Sequence, residues 1–348
     1  MNILIIKPSS LGDVLHALPF LKVIKDAFPN AHIEWVISKN NEGILTGNPL
    51  IDELIVFDKD SWRQNISLRN FLNAIHEINA LRKTLRSKHF DIAVDLQGLL
   101  RSGLMTFFAR SPLKIGFENA REGSRFFYNK KVRVPPGIHA VDKNLEVARE
   151  ILKIQGQGVR GKGQEKAEFP LYIDSAAKEN VKKLLGAIKE KEYIVIVPSA
   201  RWQTKKWPAE NFGLLISKLP VPCIITGGST DINIAEKITT ASGGKGINLC
   251  GKTGLKELSA LIAGAKALVS NDSGPMHIGA ALGIPVIALF GPTDPEKTGP
   301  YGWKGNKNMK VLRAPVPCSP CFKKKCKEPL CMSKISVETV LETLKEFL

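Results

Sequence analysis

The chain predicts an α/β protein built from two doubly wound, Rossmann-like domains. Three observations carry that expectation. Short runs rich in β-branched residues are apolar on both faces and alternate with helix-like stretches, which is the pattern of parallel sheets covered on two sides. The length, 348 residues, is enough for two hydrophobic cores. The alternation breaks once, over Lys153–Glu168, where Gly, Gln and Lys dominate and the chain reads as a linker or long loop. The expected division is a first domain over 1–168, a second over 169–333 and a C-terminal helix over 334–348.

The elements follow in order. Strands are expected at Asn2–Ile6, His32–Ile37, Glu53–Phe57 and Asp91–Asp95, separated by amphipathic stretches at Val14–Phe28 and Phe71–Ser87. Pro19 should kink the first helix or begin its regular part. The second half repeats the rhythm at Tyr193–Val197, Val221–Thr226, Ile247–Cys250, Ala267–Ser270 and Val286–Phe290. Helices are expected at Leu255–Ala263 and Met276–Leu282. In such sheets ligands sit beyond the carboxyl ends of the strands, so the loops that follow each strand are where chemistry is expected.

Composition narrows the classes. The charged and apolar fractions are globular, not disordered. A net charge of +17 attracts anions: nucleic acid, an anionic membrane face or a phosphorylated substrate. Interleaved aromatics and recognised nucleic-acid modules are lacking, so no nucleic-acid partner is expected. No apolar run approaches the ~20 residues of a membrane-spanning helix. The first residues read as a buried strand, not as a signal peptide. The cysteines form no framework spread along a secreted chain, so a cytoplasmic location is expected. Cys223 and Cys250 read as core.

Three loops could carry chemistry. After the first strand comes Lys7-Pro8-Ser9-Ser10-Leu11-Gly12-Asp13-Val14. Gly12 permits a tight turn before a helix whose first N–H groups are available. Asp13 either complements the helix dipole or faces a substrate hydroxyl and takes its proton. In the second half, Asn271-Asp272-Ser273-Gly274-Pro275-Met276-His277 is a suitable place for a diphosphate. There Asp272 or Ser273 can cap the next helix and Gly274 lets a phosphate approach the backbone. His277 falls within the helix, where a histidine is more often structural. Between Pro198 and Pro208, Arg201, Lys205 and Lys206 accompany Trp202 and Trp207, a cationic loop suited to an anionic leaving group or simply a solvated one.

Other features are discounted or left open. Gly246 to Thr253 matches the phosphate-loop pattern of triphosphatases, but its variable positions are themselves a strand. Asp58-Lys59-Asp60 mimics a metal-binding pair yet has no second carboxylate group. The four thiols Cys318, Cys321, Cys326 and Cys331 could hold zinc or an iron–sulfur cluster, pack as a reduced knot, or form a disulfide.

An ordered set of motifs runs over nearly the whole chain: Lys7 to His16, Asp95-Leu96-Gln97-Gly98, Ala120-Arg121-Glu122, Phe127-Tyr128-Asn129, His139-Ala140-Val141, Lys205-Lys206-Trp207-Pro208, Asp272 to His277 and Phe290-Gly291-Pro292-Thr293-Asp294-Pro295. Together they resemble the ADP-heptose:lipopolysaccharide heptosyltransferases of glycosyltransferase family 9, the first half most like heptosyltransferase I and the cysteine-rich tail more like heptosyltransferase II. The resemblance implies the GT-B architecture, two Rossmann-like domains facing a central cleft, with acceptor on the first and donor on the second. It also implies an inverting, metal-independent transfer that needs no cofactor. By the same carry-over Asp13 is the base and Lys205 contacts the donor phosphates. Ser9, Ser10, Gly12, Asp272, Ser273, Gly274, His277 and Thr293 join the donor site. Ile232 falls where heptosyltransferase I has a glutamate on the ribose, so Asp231 is the candidate for that contact. The implied partners are ADP-heptose and a Kdo-lipid A or inner-core lipopolysaccharide acceptor at the cytoplasmic face of the inner membrane. Trp62, Arg63 and Arg121 are candidate acceptor contacts. Together with the run Arg125–Lys131 they form a candidate face for docking on anionic lipid.

Overall fold

The computed structural model describes residues 1–58, 68–158 and 167–348. The chain separates into two compact units, Met1–Tyr172 and Ile173–Leu348. Each is a six-stranded, wholly parallel sheet with helices between its strands.

In the first unit the strands are β1 (Asn2–Ile6), β2 (His32–Ser38), β3 (Glu53–Phe57), β4 (Ile92–Asp95), β5 (Leu113–Phe117) and β6 (Lys130–Val132), in the spatial order β3-β2-β1-β4-β5-β6. The second unit has β7 (Ile194–Val197), β8 (Cys223–Ile225), β9 (Gly246–Asn248), β10 (Ala267–Asn271), β11 (Val286–Phe290) and β12 (Met309–Arg313), ordered β12-β11-β10-β7-β8-β9. These are the same winding. In both, the chain starts in the middle of the sheet, steps outward one way, then returns to the middle and steps outward the other way. The order reverses beside β1 and β4 in one unit, and beside β7 and β10 in the other. Ligands of doubly wound sheets gather at such switch points. The central strands β1, β4, β7, β10 and β11 are buried along nearly all their length, which is why they read as continuous apolar runs.

The helices between them in the first unit are α1 (Leu11–Leu15), α2 (Leu18–Ala27), α3 (Leu68–Ser87), α4 (Leu100–Phe108) and α5 (Ala140–Ile154). The second unit has α6 (Ser175–Leu185), α7 (Ala209–Ser217), α8 (Ile232–Ala241), α9 (Leu255–Ala263), α10 (Gly274–Ala281), α11 (Pro295–Thr298), α12 (Leu330–Ser333) and α13 (Val337–Lys345). The single helix expected over Val14–Phe28 is two. Pro19 sits in the first turn of α2, where its missing N–H costs nothing. α13 buries Val337, Val340 and Leu344 in the same core as β7, β10 and β11.

Three strands have no counterpart in the sequence reading. β6 and β12 are edge strands, and Lys130-Lys131 and Lys310 with Arg313 put charge there, the usual guard on a sheet edge. β5 lies inside the sheet but contains Gly116, which weakens a strand pattern. The glycine is required: a Cβ there would stand 2.5 Å from the Tyr128 ring. Its absence lets Tyr128 lie across the strand and reach β4.

Candidate functional site

In the first unit the sequence motifs converge at the carboxyl ends of β1 and β4. Lys7, the residue after β1, is buried and donates from Nζ to the Leu96 carbonyl at 2.6 Å. Burial pulls its pKa below the usual lysine range, against the pull of the Asp13 and Asp95 carboxylates. Asp95 ends β4 fully buried. Its Oδ2 accepts from the Tyr128 hydroxyl at 2.6 Å, and its Oδ1 accepts from the backbone N–H of Gln97 (2.8 Å) and Gly98 (2.9 Å). Burial pushes its pKa up, and those hydrogen bonds oppose the rise. Gly98, in the left-handed region at φ 67°, accepts from the Arg121 N–H at 2.9 Å. The Ser9 N–H points to Gln97 Oε1 at 3.4 Å. The Asn144 side chain donates to the His16 carbonyl, and the His16 ring packs edge-on against His139 at 5.1 Å. Five of the motifs therefore form one bonded assembly.

Asp13 stands at the third position of α1, and its Oδ2 accepts from both the N–H (2.9 Å) and the hydroxyl (2.8 Å) of Ser10. The capping role is thus present: the carboxylate starts its own helix. That cap also moves Gly12. Expected in a turn, it lies inside α1, its carbonyl accepting from the His16 N–H, because the Ser10–Asp13 pair begins the helix at Leu11. Arg121 is exposed. Trp62 and Arg63 lie outside the described residues, as do Lys59 and Asp60.

The second unit assembles its residues at the carboxyl ends of β7, β10 and β11. Asp272, just past β10, is buried. Its Oδ2 meets Lys205 Nζ at 2.5 Å and also accepts from the Thr293 hydroxyl. Lys205 ends a 3-10 turn, Gln203–Lys205, and its ammonium lies 4.7 Å from the centre of the Trp202 ring. Lys324 sits over the same ring at 5.5 Å. Trp207 is the packed member of the tryptophan pair. It is buried edge-on to Phe212 and donates to the Ile335 carbonyl at 2.9 Å, while its N–H is held by Asn271.

One local expectation changes. Neither Asp272 nor Ser273 caps α10 through its side chain. Asp272 is turned to Lys205 and Thr293 instead, and the Ser273 hydroxyl lies 3.3 Å from that of Ser270. Gly274 is the first residue of α10 and His277 is buried within it. Asp231 uses one carboxylate oxygen on the Gly228 N–H at 2.9 Å, closing the turn before α8, and Ile232 beside it is exposed. The stretch from Gly246 to Asn248 is a strand, so the triphosphatase pattern there cannot form a phosphate loop.

A cavity of about 750 Å³ adjoins this group. Lys206, Lys237, Lys324, Lys325 and Lys327 supply its cations; Asp231 and Glu210 are its acids. Cys223 and Cys250 are core residues whose thiols burial pushes up to about 12. Cys318, Cys321, Cys326 and Cys331 are free thiols in the structure. Burial and the other three sulfurs raise Cys331. Among the described residues, the group of His, Cys or acidic side chains whose ligand atoms come within 4.8 Å of one another is His32, Glu34 and Glu53, where Lys88 bridges the two glutamates at 2.6 Å each.

The family model of glycosyltransferase family 9 (heptosyltransferase) matches residues 78–332, which run from within α3 through all six strands of the second unit. The chain belongs to glycosyltransferase family 9. It is therefore a glycosyltransferase. Among its relatives, lipopolysaccharide heptosyltransferase 1 of Pseudomonas aeruginosa is 28% identical, covering 100% of this chain and 98% of its own. Lipopolysaccharide heptosyltransferase 2 of Salmonella typhimurium is also 28% identical, over 87% of this chain and 86% of its own. The solved structure of E. coli heptosyltransferase WaaC with ADP superposes with a TM-score of 0.78 at 27% identity, covering 100% of both chains. As a family 9 heptosyltransferase the chain has the two Rossmann-like halves of the GT-B class, as expected from its motifs.

Sequence reasoning assigned no role to Lys7 or Asp95 beyond their place in motifs, and gave Tyr128 only a place in the candidate docking run. The available signal was a lysine or aspartate closing an apolar strand, a position whose burial obliges a partner. It read Trp202 only as one of two tryptophans on a packed or binding surface, although an aromatic three residues before a functional lysine in a short turn can reach it.

Proposed function

We propose that the enzyme transfers heptose from ADP-heptose to the Kdo region of the lipopolysaccharide inner core, with inversion and without a metal ion. The observation that carries this reading is the Lys205–Asp272–Thr293 group beside the start of α10. A departing ADP develops negative charge, and a positioned ammonium with helix N–H groups offsets it in the transition state. In this reading Asp272 orients Lys205, and Trp202 limits the directions in which the ammonium can move. Gly274 and Ser273 leave room for phosphate oxygens at the helix start, and Asp231 faces the ribose. A donor with an ADP leaving group agrees with the ADP bound to WaaC.

Asp13 is the proposed base. An acceptor hydroxyl is a weak nucleophile until its proton is taken during attack on the anomeric carbon. The Ser10 hydrogen bonds hold the carboxylate in one orientation. Arg121 is the proposed contact for acceptor carboxylates, with Trp62 and Arg63, and the lipid-linked acceptor places the enzyme at the cytoplasmic face of the inner membrane.

The nearly equal likeness to heptosyltransferases 1 and 2 favours a second reading, addition of a later heptose. One assay separates them. Purified enzyme receives ADP-heptose with Kdo-lipid A, or with the same acceptor already carrying one heptose. Transfer to the Kdo-only acceptor is expected. Transfer only to the heptosylated acceptor would establish the second reading, and no transfer to either, with turnover of another nucleotide sugar, would overturn the donor.

A further inference from the structure

The most unusual surface of the first unit lies on α4, the helix that follows β4. α4 turns Leu100, Leu104 and Phe107 to solvent, with 44%, 37% and 51% of their area exposed. These positions recur at four- and three-residue spacing, so they form one stripe along the helix. The inner face of α4 is buried in the ordinary way by Ser102, Gly103, Met105 and Thr106. The stripe continues beyond the helix. Phe127 lies 5.8 Å from Phe107 between ring centres, and Phe126 beside it is 73% exposed. Single exposed apolar residues need no explanation, but a contiguous set does.

Cations rim this stripe. Lys114 Nζ lies 5.6 Å from the centre of the Phe107 ring, Arg125 lies 5.1 Å from that of Phe126, and Arg82 lies 5.9 Å from that of Phe108. Arg82, Lys83 and Arg86 line an open cavity of about 460 Å³ with Asn79 and Ser87. Neighbouring lysines of the unit are neutralised, Lys88 by Glu34 and Glu53 and Lys130 by Glu150. Arg82, Lys83, Arg86 and Arg125 have no ion pair among the described residues. Burial and the charge of Arg86 pull the Lys114 pKa down. Glu122 accepts from the Leu100 N–H at the start of α4.

An apolar stripe flanked by unneutralised cations is what an interfacial helix presents to an anionic bilayer: rings and leucines enter the acyl boundary while arginines meet phosphates. We propose that α4 and the Ser124–Phe127 turn dock the first unit on an anionic lipid surface, with Leu104, Phe107 and Phe126 as the inserted residues and Arg82, Arg86 and Arg125 as the phosphate contacts. This deepens the proposed function, which needs a lipid-linked acceptor, but it stands on the surface itself. Of the docking residues expected from sequence, it keeps Arg125 and Phe126 and moves the centre from Trp62 and Arg63 to α4. Tyr128, in the same expected run, is buried on Asp95 and cannot serve.

The test is vesicle flotation with the full-length enzyme. Vesicles contain either phosphatidylglycerol with phosphatidylethanolamine or phosphatidylcholine alone. Binding is expected on the anionic vesicles only, and it should fall as salt shortens the screening length from about 10 Å to about 3 Å. Phe107→Ser with Phe126→Ser should weaken binding roughly tenfold or more, and Arg82→Gln with Arg86→Gln by about fivefold per residue. All four residues are exposed, so the melting temperature reports whether the fold is intact. Lys178→Gln with Lys182→Gln, on α6 of the second unit, removes the same charge as a control and should change binding little. Wild-type flotation by the phenylalanine variant, or an equal loss in the α6 control, would overturn the proposal. So would a dimer that the phenylalanine variant abolishes, since the face would then be a self-association surface. Transfer to a lipid-free Kdo acceptor, measured alongside, tests the proposed reaction independently of docking.

Discussion

The two units share one winding, yet they use their switch points in opposite ways. In the first, each charged group is held by neutral polar neighbours: buried Lys7 on the Leu96 carbonyl, buried Asp95 on Tyr128 and two backbone N–H groups, and half-buried Asp13 on Ser10. In the second, Lys205 is held by one buried aspartate and one aromatic face, beside a cavity lined with further lysines. The first arrangement fixes loops and sets one carboxylate at a helix start. The second stores positive charge where an anion can meet it. Identical topology therefore does not make identical chemistry, because the residue that follows each central strand decides it.

The comparison can be broken by substitution. The largest effect is expected at Asp13. Asp13→Asn keeps an acceptor for the Ser10 cap but removes the proposed base, so turnover should fall by about 10²- to 10⁴-fold. Turnover within a few fold of wild type in a steady-state assay would remove Asp13 from the chemistry and leave it a cap.

Next comes the interior of the first unit. Tyr128→Phe deletes a donor to a buried carboxylate and should cost about 1–3 kcal/mol in denaturant unfolding. The pH dependence has a definite sign. Asp95 has a raised pKa in the folded state, so its contribution is present below the ordinary carboxylate range and is lost as pH rises through the raised value. Without Tyr128 the charged form loses a partner and that pKa rises further. The deficit of the variant should thus be small in acid and widen as pH rises. A deficit independent of pH would mean that the hydroxyl does not act through the Asp95 charge.

Smaller effects sharpen the boundary between the units. Neutralising Arg63 and Arg121 together should raise the Michaelis constant for acceptor several fold, the size expected when partly exposed ion contacts are lost, while sparing that for donor. An unchanged acceptor constant would place acceptor recognition on other side chains. The smallest effect concerns metal. Activity should survive chelator, since in the proposed reaction Lys205 and the α10 start supply the positive charge. Loss restored by magnesium or manganese would overturn that assignment, and metal analysis of reduced protein would show separately whether the Cys318–Cys331 thiols bind an ion.

Much of this was legible in the sequence, for physical reasons. Central strands buried on both faces leave an uninterrupted apolar signature, so β1 and β11 are found to the residue. The edge strands β6 and β12 carry Lys and Arg, and β5 needs Gly116 to seat Tyr128, so their patterns are erased. At the site, Asp272 and Lys205 were readable as residues at strand ends, but their pairing was not, since 67 positions separate them and only the sheet order brings them together. Gly12 was misplaced because a reciprocal cap outweighs the turn preference of glycine. The exposed stripe of α4 was invisible for a different reason: Leu and Phe at helical spacing signal burial, and the buried face of α4 is made instead by small residues with Met105.

The central claim is that the second unit grips the donor while Asp13 acts only in transfer. Calorimetric titration of ADP into the full-length enzyme tests it most directly. Asp13→Asn should bind ADP as the wild type does, and Lys205→Ala should bind it about 10- to 100-fold more weakly, the loss of one charge-assisted contact. Wild-type affinity in Lys205→Ala, or an equal loss in Asp13→Asn, would contradict the account.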